Sequence, residues 1–470
     1  MVLLTQLPPE IILNILGNLD PDDLGRVPRC CRLLRNFIKG NGLLYKSVYY
    51  HTLDAPPSDA ALNWEQEIQD LVRLQRVCRS STTDKHAELR FVHDTVTRIL
   101  KNASTGASRA VRSETYPSSS RNVALLTGLF QDESNREAFL SRSFLFERAR
   151  GIANRFGNRP REEHQLSARL HSLYGMPQLR RGMGRTRSTS MYPFACSKVY
   201  DLREYSRATR WGPFMNDGSE RVDWEKVEAI LLVLRANIKG KGLDSFPIFS
   251  NLWNTPFAGS WPGSYVAWPS TERSELERQD PYDVSGTWMR VVCFLADYND
   301  FFSYNFPLGD ELPNNVPRQA LDVGEATRVI MMKIHVTEIE WPEGEEGKGH
   351  PTVHFRGFSR SLDGSWDENA NSDLRGLVRM TPEGEVRWTT YSIFDGEEKW
   401  KSEGIQLGGI RSARGVVGNW FDRDYDPHGP CGPTAFWKAS DRSPENDDAK
   451  VMVADFLPIS ESTVMAALHD

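Results

Sequence analysis

The periodicity of this 470-residue chain changes near Asp283, and that change limits the folds open to it. From Ser285 onward, short runs of β-branched and aromatic residues recur between turn-forming groups. The runs are Ser285–Leu295, Ala326–Val336 with Ile339, Thr352–Ser359, Leu374–Met380, Glu385–Ile393, Lys399–Leu407, Arg414–Phe421 and Ala435–Lys438. Pro342-Glu343-Gly344, Asp363-Gly364, Pro382-Glu383-Gly384 and Asp395-Gly396 punctuate them. Tyr298–Phe306 is expected to pair back onto the first run. Seven or more short strands at near-regular spacing predict an antiparallel barrel or sandwich.

Ahead of that point the pattern is helical. Leu7-Pro8-Pro9-Glu10 opens a stripe of Ile11, Ile12, Ile15, Leu16 and Leu19, the spacing of one helix face. Asp20-Pro21 restarts a helix, with Asp20 as N-cap and Pro21 in the first turn, where its missing N–H costs nothing. A third helix from about Arg29 carries Cys30, Leu33, Leu34, Phe37 and Ile38, and stops at Gly40-Asn41-Gly42; Pro28 forces a break before it. Three short helices cannot close a core, so this segment needs a partner or the rest of the chain. After the linker-like Ala55-Pro56-Pro57, helical stripes cover Asn63–Ala110, Arg121–Arg155 and Arg161–Leu173, and Val222–Ile238 is strongly amphipathic.

The order Leu7-Pro8, Glu10, Ile15-Leu16, Leu19-Asp20-Pro21, Leu24 resembles the F-box. The resemblance implies docking on a Skp-type adaptor of a cullin-RING (SCF) ubiquitin ligase, with Leu7, Pro8, Glu10, Ile11, Ile15, Leu16, Leu24, Cys30 and Leu34 as adaptor contacts. Leu34 and Leu44 stand where members of that family often carry Trp. The region from about Tyr282 to Lys438 resembles the C-terminal part of ascomycete F-box proteins and, more distantly, the barrel of F-box-only receptors, whose implied role is to hold a target peptide. Gly286-Thr287-Trp288 is similar to the G-x-W signature of lipocalin-like barrels. The expected fold is therefore α+β: an F-box over residues 1–54, a helical spacer over 55–215, and a mainly β recognition domain over 216–470, with a lipocalin-like barrel favoured. A small-molecule-binding barrel acting as a ligand sensor is the alternative reading.

Within the β region, Trp288, Trp420, Asp424, Tyr425, His428 and Trp437 are the candidate recognition residues. Four of them lie in or beside the Asp-, Gly- and Pro-rich stretch after Gly415, the type of loop that carries binding groups at a barrel rim. No catalytic set, metal site or cofactor is expected. His350 and His354 lack a third ligand, and Asp422, Asp424 and Asp426 lack the Gly and Glu of a calcium loop. Net charge of −6 argues against nucleic acid as partner, although residues 142–210 hold 15 Lys and Arg against 5 Asp and Glu. Of that stretch, Gln178–Ser190 reads as a flexible loop. No apolar run is long enough to cross a membrane, no leader is evident, and six scattered cysteines without a C-x-x-C spacing suit the reducing cytoplasm or nucleus.

Overall fold

The computed structural model describes residues 4–58, 60–82, 84–104, 120–151, 161–176, 191–243, 253–265, 273–307, 312–313, 316, 318–342, 349–362 and 371–441. The chain divides into two compact units: residues 1–113 with 117–139, and residues 114–116 with 140–470. The Arg-, Gly- and Ser-rich stretch 178–190 and the turn at Asp363-Gly364 lie outside the described residues.

The first unit is helical. Its elements are α1 (Pro9–Gly17), α2 (Pro21–Leu24), α3 (Arg32–Ile38), α4 (Gly42–Thr52), α5 (Trp64–Arg79), α6 (Leu89–Lys101), α7 (Arg121–Phe130) and α8 (Glu133–Phe139). Proline occupies the first turns of α1 and α2 as expected, and Asp20 stands at the N-cap of α2 without a side-chain bond. Pro28 falls in a single 3-10 turn, Val27–Arg29, so α3 starts only at Arg32. The α1 helix turns Ile12 and Leu16 inward and closes tightly on α4: a Cβ at Gly17 would lie 2.5 Å from Ser47 Oγ. Leu44, Val48 and Tyr49 of α4 are buried, with the Tyr49 ring edge-on to Trp64 of α5 at 5.2 Å. The rest of the unit thus supplies the core that the first three helices lack.

One buried carboxylate fastens the end of α4 to the start of α7. Asp54 accepts from the Ser120 hydroxyl (2.5 Å) and from the backbone N–H groups of Arg121 (2.9 Å) and Ser104 (3.1 Å). Its own N–H donates to Asn122 Oδ1 at 2.8 Å, and Asn122 in turn donates to the Ile99 carbonyl at 2.8 Å.

The second unit wraps helices around a barrel. Its helices are α9 (Phe144–Ala149), α10 (Glu162–Tyr174), α11 (Tyr192–Val199), α12 (Trp224–Gly240), α13 (Glu275–Gln279) and α14 (Tyr298–Asn305). Its strands are β1 (Gly286–Leu295), β2 (Glu325–Glu340), β3 (Thr352–Ser361), β4 (Ser372–Met380), β5 (Val386–Phe394), β6 (Glu397–Gln406), β7 (Val416–Asp422) and β8 (Cys431–Ser440). The strands follow one another in sequence order, all neighbours antiparallel, and β8 pairs with β1 to close the barrel. Closure, rather than a sandwich, leaves no unpaired strand edge.

Tyr298–Phe306 is not the strand expected from its aromatic content. Asp297 accepts from the Asn299 N–H at 2.8 Å and caps α14, which buries Phe301 and Asn305, four residues apart on one helix face. The first strand pairs instead with β2 and β8.

Alternation divides β1, β2, β7 and β8 between two cores. Met289, Val291, Cys293, Val417, Ala435 and Trp437 face outward and pack with Val227, Ile230, Leu231 and Leu234 of α12. Trp288, Met332, Ile334, Phe355, Val378, Trp388 and Phe436 fill the interior. Inward-facing glycines allow neighbouring strands to close in: a Cβ at Gly418 would lie 2.0 Å from the Glu403 carbonyl oxygen. Several described cations of the 142–210 segment find acids within this unit, among them Arg169 with Glu385 (2.7 Å) and Lys198 with Asp223 (2.9 Å).

Candidate functional site

Two surfaces stand out, one on each unit. On the first unit the outer face of α1 is apolar: Ile11 and Ile15, one helical turn apart, are 44% and 42% exposed. Pro8 and Glu10 are exposed beside them and Leu7 is half-buried, so these expected contacts share the N-terminal part of the helix surface. Cys30 is exposed after the 3-10 turn. Leu16, Leu24 and Leu34 are placed differently from expectation. All three are buried by their own unit and hold the helices from within, so they present no surface to a partner. Exposed Leu4, Leu33 and Leu43 were not anticipated as surface residues. Leu33 and Leu43 each adjoin a leucine that is buried (Leu34 and Leu44), and adjacent leucines look alike in a sequence.

Residues 4–51 match the F-box-like family model. This segment is an F-box-like domain. Proteins of the F-box family are generally non-catalytic adaptors, and F-box domains generally bind Skp-type adaptors in SCF complexes. The chain matches no curated protein and no solved structure.

On the second unit, the two ends of the barrel differ. One end is sealed by three rings: Trp288 lies 5.0 Å from Trp388 and 5.8 Å from Phe436, and all three are buried. The Trp288 indole N–H donates to the Val284 carbonyl at 2.9 Å, and that of Trp388 to Gln406 Oε1 at 3.1 Å, so the plug is polar-satisfied as well as packed. At the other end the inward residues Val292, Phe294, Ile330, Ser392, Trp400 and Trp420 keep partial exposure, which makes this end a mouth. Trp420 is edge-on to Trp400 at 5.3 Å, and Phe294 stands 6.5 Å away. The Trp420 indole crosses β8 to donate to the Cys293 carbonyl at 2.9 Å. Only glycine at 432 leaves room for this, since a Cβ there would meet the Cys293 oxygen at 2.2 Å and Trp420 Nε1 at 2.8 Å.

Between plug and mouth sits Arg290, two residues after Trp288 on the same interior face and 5% exposed. Its Nε donates to Thr434 Oγ1 at 2.9 Å, and its guanidinium carbon lies 6.0 Å from the Phe436 ring centre. Burial pushes this guanidinium down to about 10. Hydroxyls share the interior face: Thr390 with Ser402, and Ser359 with Ser372 at 2.8 Å.

The rim beside the mouth carries the loop between β7 and β8. Tyr425 packs on Trp211 at 4.0 Å and accepts from Lys401 Nζ at 3.2 Å. His428 lies 4.8 Å from Phe306, and its carbonyl accepts from the Tyr298 hydroxyl at 3.1 Å. Asp422 accepts from the N–H groups of Asp424 (2.9 Å) and Asp426 (3.4 Å), so its carboxylate serves the turn. Asp424 points to solvent beside Arg423.

Trp420, Asp424, Tyr425 and His428 are thereby gathered at one end of the barrel. Trp288 and Trp437 are not: the first belongs to the plug at the opposite end, and the second faces the helices, its ring 6.4 Å from Trp253. Both are buried, so neither meets a surface partner. Arg290, Phe294 and Trp400 were missed. Alternation counted from Trp288 would have placed Arg290 inside, given the knowledge that Trp288 faces inward. Among the described residues, no group of three or more His, Cys, Asp or Glu is placed to hold a metal ion, and no helix is long and apolar enough to cross a membrane.

Proposed function

We propose that this protein is the substrate-receptor subunit of an SCF-type cullin-RING ubiquitin ligase, acting in the cytoplasm or nucleus. The reading is carried by one observation: the F-box-like segment turns Ile11 and Ile15 outward, leaving an apolar helix face uncovered by its own unit. Such a face is suited to a groove on a Skp-type adaptor, where a few anchors dominate affinity. Leu7, Pro8 and Glu10 extend the contact, and the cullin joins through the adaptor. The target protein is taken at the barrel mouth and its rim, around Trp420, Tyr425 and His428. The chain itself needs no catalytic group or cofactor in this role, because holding the target near the transferring subunits accelerates the reaction by proximity.

Affinity purification of the intact protein tests the reading. The adaptor and a cullin are expected with the wild type and lost with Ile11→Asp/Ile15→Asp, while the circular dichroism spectrum is unchanged. Unchanged recovery from the double variant would overturn the assignment.

A further inference from the structure

A guanidinium inside a barrel calls for a counter-charge. Arg290 makes one hydrogen bond among the described residues, from Nε to Thr434, and neither terminal nitrogen finds a partner there. No described carboxylate offsets its charge. An unpaired buried cation is costly, and an anion that met it there would recover much of that cost. The nearest comparison is Lys438, also interior, which is paired with Asp283 and Asp441 at 3.0 Å each. The fold neutralises the lysine at the sealed end and leaves the arginine towards the open end without a described acid.

We propose that the open half of the barrel binds a small monocarboxylic acid, its carboxylate on Arg290 and its apolar body against Phe294, Trp400 and Trp420. The planar fork of a guanidinium matches a carboxylate with two parallel N–H···O bonds. A single cation suits a singly charged head better than a phosphate. From Arg290 to Phe294 is four residues of strand, about 13 Å, so an extended body of some eight to ten carbons spans it. The partly exposed aromatic collar offers such a body faces and edges to stack on. The plug of Trp288, Trp388 and Phe436 limits how deep the head can go. This site shares the barrel mouth and Trp420 with the target face of the ligase reading but does not rest on it. Acid binding is read directly on the full chain, whereas the F-box face carries the ligase assignment.

Tryptophan fluorescence of the full chain, titrated with decanoate and with decanol, tests the proposal. Decanoate is expected to give a saturable change and to bind at least tenfold more tightly than the alcohol. Arg290→Met should cost decanoate at least tenfold and leave decanol within threefold. The acid–alcohol comparison on the wild type decides the matter even if the variant does not fold. Equal binding of acid and alcohol, or an acid preference that survives in a folded Arg290→Met protein, overturns the proposal. A polypeptide C-terminus carries the same chemistry. If a short peptide with a free terminal carboxylate binds at least tenfold more tightly than decanoate, and its amidated form does not, the site belongs to protein ends and the small-acid assignment falls.

Discussion

Asp54 stands where a reading of the sequence would cut an F-box from a spacer, yet the structure makes it a buried tie between them. Replacing it with Ala removes the acceptor for the Ser120 hydroxyl and for the N–H groups of Ser104 and Arg121. An orphaned buried donor costs about 1–3 kcal/mol; the two backbone donors are only part-buried, so the lower figure applies to each. The loss of a negative charge at the start of α7 adds about 0.5 kcal/mol. The expected destabilisation of the first unit is thus about 3.5 kcal/mol or more, roughly three-hundredfold in the opening equilibrium. Asp54→Asn keeps one acceptor oxygen and should cost about 1 kcal/mol. Hydrogen exchange on the intact chain reads the units separately: amides of α4 and α7 should lose protection by that factor while those of the barrel strands hold theirs. A fall of less than threefold in α4 and α7, or an equal fall in the barrel, would refute the tie.

The remaining predictions concern packing and pH. Leu16→Asp should unfold the first unit, whereas Ile15→Asp, one residue away and exposed, should leave its thermal midpoint nearly unchanged. Trp388→Ala opens a hole in the aromatic plug and should lower the second unit's stability by about 3–5 kcal/mol in urea unfolding. Gly432→Val drives a side chain into the Cys293 carbonyl and the Trp420 indole, and should cost about 1–3 kcal/mol with a red shift in tryptophan emission. Burial raises Glu225 to about 8 and Asp280 to about 6. A carboxyl raised above its unfolded value is best folded while protonated, so this contribution is intact in acid, below the ordinary carboxylate range, and is lost as pH climbs to about 8. Glu225→Gln, which keeps the acceptor for the Phe144 N–H, should flatten that decline and exceed the wild type in stability at pH 9.

What the sequence determined by itself is the local periodicity and its punctuation. Period-two runs and turn residues marked all eight strands, and Pro8-Pro9 and Asp20-Pro21 marked helix starts, because side-chain spacing and the missing proline N–H act over a few residues. The same local rules failed at Tyr298–Asn305, where aromatic content suggested a strand and the Asp297 cap with burial of Phe301 produced a helix. Facing was decided only by the tertiary structure. Closure pairs Met289 with Trp437, nearly 150 residues apart, and that pairing sends Trp288 into the plug and Trp437 towards the helices. It also places Arg290 inside without a described acid, and Ile11 outside while Ile12 is covered. An arginine in a strand, or one isoleucine beside another, has the same local signature in either position. Which of them meets solvent, a core or a ligand depends on contacts with residues far along the chain.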